Sequence, residues 1–557
     1  MDRLLTFILN AAENGHAAPE RPAGYDTGAH HQLATELAEA SVVLLKNEDG
    51  ILPLKSGTRV AVIGDLAETP RYQGSGSSTI RPTRLHNAHD CLVEAFGTIS
   101  YAKGYFRHSA LPNTLLIRQA CAIAEGKDVV LLFAGLTEMN ESESMDRGHL
   151  DLPDSQNDLI EAVCAVHPNV IVVLSGGAPF LMPWLGKVKA VVNGYLGGQA
   201  GGQAIVNILT GKADPAGKLA ETWPLSLSDT PAYGHFPGTA ESVEYRESIF
   251  VGYRHYDSVG KDVLFPFGYG LSYTTFSYGD LQIVPMVEPY NIPDAHPDSL
   301  SASEAAPCFS VVFTVRNTGR VAGAETVQLY VSQRDSVVAK PVKELKGFAK
   351  VRLEPGEETR VALPLHARSF SHYDVGQSGW VVEPGQYHIL IGSSCRDIRL
   401  EGAIPIGNPP AVTERPKRSI RMNAAGVTDA EFEALLGTPI PPNTVHVGIL
   451  ADNNTLEQAR GRFLAGLLYR FVIFFFLRPA ERRGHMNKAM MAQSILQLPF
   501  RGYVRMSDGV VSAAMLEGFL VMLNGRFFKG LGQLILATVT RKRRRRGVAV
   551  DMTERGL

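Results

Sequence analysis

The chain has only five cysteines, at 91, 121, 164, 308 and 395, and none forms a Cys-x-x-Cys pair. That scarcity excludes a disulfide scaffold and a cysteine-based zinc module, and it fits a reducing compartment. The sixteen histidines form no His-x-His or His-Glu-x-x-His word, so no metal site is expected, and no motif calls for a cofactor. Long apolar runs are missing too. The most apolar stretch, 464–477, falls short of the ~20 residues that span a bilayer, and Arg470 interrupts it. It reads as a helix that is buried or covered by a partner. The opening Met1-Asp2-Arg3-Leu4-Leu5 lacks the layout of a secretory signal, so a cytoplasmic location is expected. Nor is there an excess of one charge. With 54 basic and 56 acidic residues, the chain as a whole is not a basic nucleic-acid binder, and no nucleic-acid partner is expected.

What is present is ordinary globular composition, 45% apolar and 20% charged, over 557 residues, enough for three or four domains. The charge is unevenly spread. Residues 409–557 carry a net +11, leaving −13 on 1–408. Residues 2–14 have leucine and isoleucine at helical spacing and read as an amphipathic helix within a 1–30 lead-in. Over 31–276, buried-strand runs at 60–64, 129–134, 170–174 and 190–195 alternate with helical patterns at 33–45, 114–124, 156–166 and 202–209. This predicts an α/β sandwich, a mostly parallel sheet flanked by helices. Residues 277–306, rich in Pro, Ser and Asp, read as a linker. Residues 307–408 turn to short alternating strands separated by Asn-Thr-Gly and Glu-Pro-Gly turns, which predicts an immunoglobulin-like β-sandwich. Residues 409–557 read as a basic helical extension, with Thr428-Asp429-Ala430-Glu431 placed as a capping box before a helix at 430–436.

The densest polar group follows the strand at 129–134, where residues 135–147 include Glu138, Glu141, Glu143, Asp146 and Arg147. Loops at the carboxyl ends of parallel strands are where such sheets bind ligands, and carboxyls there can do acid–base work. A solvated acidic loop is the plainer alternative. A second loop, Arg71-Tyr72-Gln73-Gly74-Ser75-Gly76-Ser77-Ser78, offers hydroxyls and close backbone approach, but it lacks any nucleotide-binding motif. The segment 245–257 mixes aromatics with charge, which suits a sugar and equally suits domain packing. The run 265–274 reads as packing beneath the second domain.

These segments resemble glycoside hydrolase family 3, the β-glucosidase and β-xylosidase family. The matching words are ASVVLLKNEDGILPL at 40–54, QGSGSS at 73–78, ESESMDRGHLDL at 141–152, GKLAETWP at 217–224, YRESIFVGYRHYD at 245–257 and FPFGYGLSYTTF at 265–276. Residues 307–405, with VKELKGF at 342–348 and EPGE at 354–357, resemble the fibronectin type III-like domain that often follows. The resemblance implies a retaining glycosidase acting on a β-linked glycoside or oligosaccharide, with two carboxylates sharing the chemistry. It implies Glu143 as the acid/base, with Glu141 as fallback. Substrate contacts would come from Arg71, Gln73, Gly74, Ser75, Ser77, Asp146 and Arg147. Ser144 stands where the family usually has glycine. The family's nucleophile, an aspartate in a Ser/Thr-Asp-Trp/Tyr word on a (β/α)8 barrel, has no counterpart here. The expectation is therefore a chain that lacks the barrel, through truncation or a split gene, has little activity alone, and works with a separate barrel-bearing chain. Two alternatives stand beside it. The chain could be a non-catalytic carbohydrate-binding or partner-docking remnant, and the run Arg541–Arg546 could dock on an anionic membrane or nucleic acid, with a solvated charge run as the plainer reading.

Overall fold

The computed structural model describes residues 2–17, 25–76, 78–107, 109–138, 140–141, 147–236, 238, 242–286, 308–374, 378–407, 426–441, 449–482, 486–507 and 510–554. The first domain is a six-stranded sheet. Its strands are β1 (Val43–Asn47), β2 (Val60–Ile63), β3 (Ser100–Ala102), β4 (Val129–Gly135), β5 (Val170–Ser175) and β6 (Ala190–Asn193), in the order β1-β6-β5-β4-β2-β3. All pairs are parallel except the edge strand β1, which runs antiparallel to β6. The inner strands are apolar throughout because helices shield the sheet; Val130, Leu132, Val172 and Val192 have no exposed surface. The helices Thr27–Ser41, Ala88–Phe96 and Gly201–Leu209 pack together as one group. Thr114–Ala124 and Asp154–Val166 form another.

One expected helix is partly a strand. The periodic pattern at 33–45 ends at Ser41, and Val43–Asn47 is β1. The helix itself starts on Asp26, whose Oδ1 accepts from the Gly28 and Ala29 amides at 2.8 and 3.0 Å. Val42, Val43 and Leu44 are buried apolar residues, two of them β-branched. They fill a sheet edge better than a helix face, where β-branching crowds the preceding turn.

The second domain is antiparallel throughout. It contains β7 (Phe276–Pro285), β8 (Phe309–Asn317), β9 (Gly323–Ser332), β10 (Glu344–Leu353), β11 (Glu358–Leu365), β12 (Ser371–Asp374), β13 (Gly379–Val382), β14 (Gly385–Gly392) and β15 (Ile398–Ile406). Sheets β10-β9-β14-β15 and β11-β8-β7 enclose a core in which alternate residues of β8 (Val311, Phe313, Val315) and β9 (Val327, Leu329) are fully buried. The expected linker is corrected at its start. Residues 277–285 continue β7 and pair with β8, because Tyr278, Leu281 and Ile283 pack against this core despite the polar residues between them. The remainder of the predicted linker, 287–306, lies outside the described residues.

The third region is helical. Thr428 caps Asp429–Leu436 with the reciprocal Thr428–Glu431 bonds of a capping box. Helices Phe463–Val472, Met486–Gln497, Phe500–Met506, Ala513–Leu523 and Phe527–Glu554 follow, with Ala465, Leu496, Phe500, Leu516 and Leu523 in their small core. The stretch expected to be buried or covered is buried on one side only: Ala465 is enclosed, while Phe463 and Phe475 face solvent.

The first two domains are joined by the aromatic run and by the segment 245–257. Gln328 of β9 donates to the Gly268 carbonyl at 3.0 Å, and the Cys395 amide donates to that of Phe267 at 3.0 Å. Tyr253 stacks on Phe267 and accepts from the Leu345 amide at 2.8 Å. Asp257 is ion-paired with Lys343 at 2.9 Å and Arg396 at 2.8 Å. Lys218 of the GKLAETWP word pairs with Glu325 at 2.9 Å. Of the two readings of 245–257, these contacts are domain packing.

Candidate active site

The site is built at the carboxyl ends of β2, β4, β5 and β6. Strand β4 ends at Gly135, where a Cβ would run into the Ser175 backbone of β5, so only glycine lets the two strands close here. Gln156, buried on the next helix, accepts from the Gly135 amide at 2.7 Å and donates to its carbonyl at 2.9 Å. The strand end is thus fixed before the acidic loop begins.

Arg71, on the segment after β2, is 3% exposed and holds the first root of that loop. Its Nη1 donates to the Leu136 carbonyl at 2.9 Å and to Glu141 Oε2 at 2.5 Å, and its Nη2 donates to the Glu141 carbonyl at 3.2 Å. The Gly177 amide, after β5, donates to Glu141 Oε2 at 2.8 Å, and Ser75 Oγ donates to the Glu141 carbonyl at 2.7 Å. Glu141 is therefore occupied on its carboxylate and its backbone by three residues from two separate segments. Glu138 is held by Arg107, with both carboxylate oxygens at 2.7 Å. Arg147 anchors the second root, its Nη2 donating to the Pro179 carbonyl at 2.7 Å. Glu143, Ser144 and Asp146 lie outside the described residues, as does Ser77.

The neighbouring loop braces itself. Gln73 Nε2 donates to Tyr72 Oη at 2.7 Å and to the Ile80 carbonyl at 2.9 Å, while its Oε1 accepts from the Ile80 amide at 2.9 Å. Gly74 lies close to Ser78. Of the predicted substrate contacts, Arg71, Ser75 and Arg147 are brought together around the acidic loop. Gln73 and Gly74 shape the loop beside them.

The sequence reading assigned no role to Glu221, which sits in the GKLAETWP word. Burial pushes its carboxyl up to about 7; Tyr195, whose hydroxyl lies 3.5 Å from Oε1, and Arg147 pull against that, while the Glu141 charge adds to it. Tyr195 takes a positive φ of 49° just past β6, and burial raises its hydroxyl as well. The neighbouring Trp223 is buried against Phe180 and Phe265. The signal that could have found this residue is a lone glutamate two residues before a tryptophan in a family word. Among the described residues, no group of three His, Cys, Asp or Glu side chains is placed to hold a metal.

Comparison with known proteins adds three findings. Residues 42–273 match the glycosyl hydrolase family 3 C-terminal domain, and 325–395 match a fibronectin type III-like domain. A thermostable beta-glucosidase B of Acetivibrio thermocellus is 40% identical over 530 residues, covering 94% of this chain and 63% of its own length. So high a share of this chain includes much of the helical extension. An exo-alpha-(1->6)-L-arabinopyranosidase of Bifidobacterium breve is 41% identical over 384 residues, 67% of this chain and 48% of its own. Among solved structures, a GH3 beta-glucosidase of Bifidobacterium adolescentis superposes with a TM-score of 0.65 at 36% identity, over 76% of this chain and 59% of that one. The chain thus spans less than two thirds of these relatives.

Proposed function

Because the chain belongs to glycoside hydrolase family 3 through its C-terminal domain, we propose that it takes part in hydrolysing O-glycosyl bonds of β-glycosides, supplying the acid/base and part of the sugar site. The observation that carries this is the double anchoring of the acidic loop. Arg71, Ser75 and Gly177 pin it at Glu141, and Pro179 pins it at Arg147, so both roots of the loop are fixed at the sheet's carboxyl edge. Glu141 is engaged in holding the loop, and the match to the family's loop assigns the acid/base role to Glu143. In a retaining mechanism it protonates the leaving oxygen and then activates water, while a second carboxylate attacks the anomeric carbon. No Ser/Thr-Asp-Trp/Tyr word occurs in these 557 residues. The attacking aspartate then comes from a barrel outside them. Relatives named as glycosidases support the hydrolase reading over a non-catalytic remnant.

The test is hydrolysis of an aryl β-glucoside by the purified chain, alone and with a co-expressed family 3 barrel. The two carboxylates act as a unit, so the chain alone is expected to give only trace turnover and the mixture to restore it. In the mixture, Glu143→Gln should lower kcat by at least ~10²-fold for substrates with poor leaving groups. Robust turnover by the chain alone would overturn the two-part scheme. Full activity of the variant would overturn the assignment of Glu143.

A further inference from the structure

The two longest helical stretches of the C-terminal region turn apolar side chains to solvent. On Phe463–Ala480 these are Phe463, 88% exposed, with Leu467, Phe471, Phe474 and Phe475. Their spacing of four, four, three and one puts them on one stripe. The opposite side, with Ala465, Leu468 and Val472, packs into the helical core. Phe471 meets Phe475 at a ring separation of 5.0 Å, so the rings cluster with each other outside the core. Arg470 and Arg478 lie on the same exposed side, and the Arg478 guanidinium sits 4.6 Å from the centre of the Phe474 ring. Phe527–Glu554 repeats the pattern with Phe528, 87% exposed, and Ile535, Leu536 and Val539. Exposed Arg526 and Lys529 stand at its start.

By length and composition the first stretch could cross a membrane. One of its sides is fixed in the helical core, however, and Arg470 lies midway along it. That combination describes a helix lying in an interface.

We propose that these C-terminal helices dock the chain on the surface of an anionic lipid bilayer. The aromatic stripes enter the boundary between headgroups and acyl chains, and the arginines and lysines meet lipid phosphates. Charge selects this occupant. The region carries +11, so a second copy of the same surface would be repelled, whereas an anionic leaflet attracts it.

Flotation of the full chain with vesicles tests this, using phosphatidylcholine alone or with phosphatidylglycerol, at low and high salt. The anionic vesicles should bind at least about tenfold more chain than the neutral ones, and high salt should remove most of that binding. Phe471→Gln with Phe475→Gln should weaken binding about tenfold, with the far-ultraviolet circular dichroism unchanged. Arg470→Gln with Arg478→Gln should lower both binding and its salt dependence. No flotation with anionic vesicles at low salt would overturn the proposal. So would undiminished binding by the aromatic variant, which would leave only a sticky basic tail. So would a stable oligomer that the aromatic variant splits while the wild-type chain ignores vesicles.

Discussion

Glu221 is the carboxylate near the acidic loop whose chemistry, among the described residues, departs most from the ordinary. Burial lifts its carboxyl from 4.5 to about 7 against the pull of Tyr195 and Arg147. The folded chain therefore keeps a proton that the unfolded chain has released between pH ~4.5 and ~7. The Glu221 contribution to stability falls as pH rises through that window and is constant on either side of it. Glu221→Gln keeps the shape and removes the titration. It should match the native chain below pH ~4.5 and exceed it by about 1–2 kcal/mol above pH ~7. Urea unfolding across this range reads the difference, and an identical slope for both proteins would remove Glu221 as its source. A carboxyl raised to about 7 is also partly protonated near neutral pH, so it can exchange a proton there. The sequence named Arg71, Ser75 and Arg147 as substrate contacts, and the structure places all three against the roots of the acidic loop. The sequence could not show that Glu141 is consumed by holding the loop, since its partners Arg71 and Gly177 come from segments 70 and 36 residues away.

At the scale of elements, the inner strands were legible because they are apolar on both faces, a pattern only a covered sheet explains. The strands at the margins were not. Strand β1 follows its helix after a single residue, and both are apolar, so periodicity runs across the boundary without a break. Strand β7 was hidden because one side faces solvent and its polar residues resemble a linker. The most constrained junction is the β4 end. Gly135→Ala would push a methyl group into the Ser175 backbone while holding a φ of 155°. The strands would have to part there, and the acidic loop would tilt with β4. A loss of about 3 kcal/mol or more is expected in chemical denaturation. Gly186→Ala, where a Cβ meets nothing within 4 Å, should change stability by under ~0.5 kcal/mol. Equal effects from the two substitutions would contradict this account of why β4 ends in glycine.

At the scale of the whole molecule, the two sandwich domains behave as one body only if their junction is strong, and that junction centres on Asp257. Its carboxylate is 4% exposed and sits between Lys343 and Arg396 of the β-sandwich, at 2.9 and 2.8 Å. Around it lie the Tyr253–Phe267 stack and the Gln328 and Cys395 hydrogen bonds. These contacts are non-local, which is why 245–257 looked as suitable for a sugar as for packing until both sides were seen. Asp257→Asn leaves two cations, Lys343 and Arg396, facing a neutral amide at a carboxylate position that is itself buried. Breaking a buried pair in this way costs about 3–5 kcal/mol. The cost falls on the interface, and each domain keeps its own core. Calorimetry should therefore show the native chain unfolding its two sandwich domains together, and the variant separating them into two transitions, the earlier one shifted down by several degrees. Arg396→Gln added to Asp257→Asn should cost less than the sum of the two single changes, because the charges act on each other. A single, unshifted transition in Asp257→Asn would mean that the aromatic contacts alone hold the domains, and that the ion pairs at this junction contribute little.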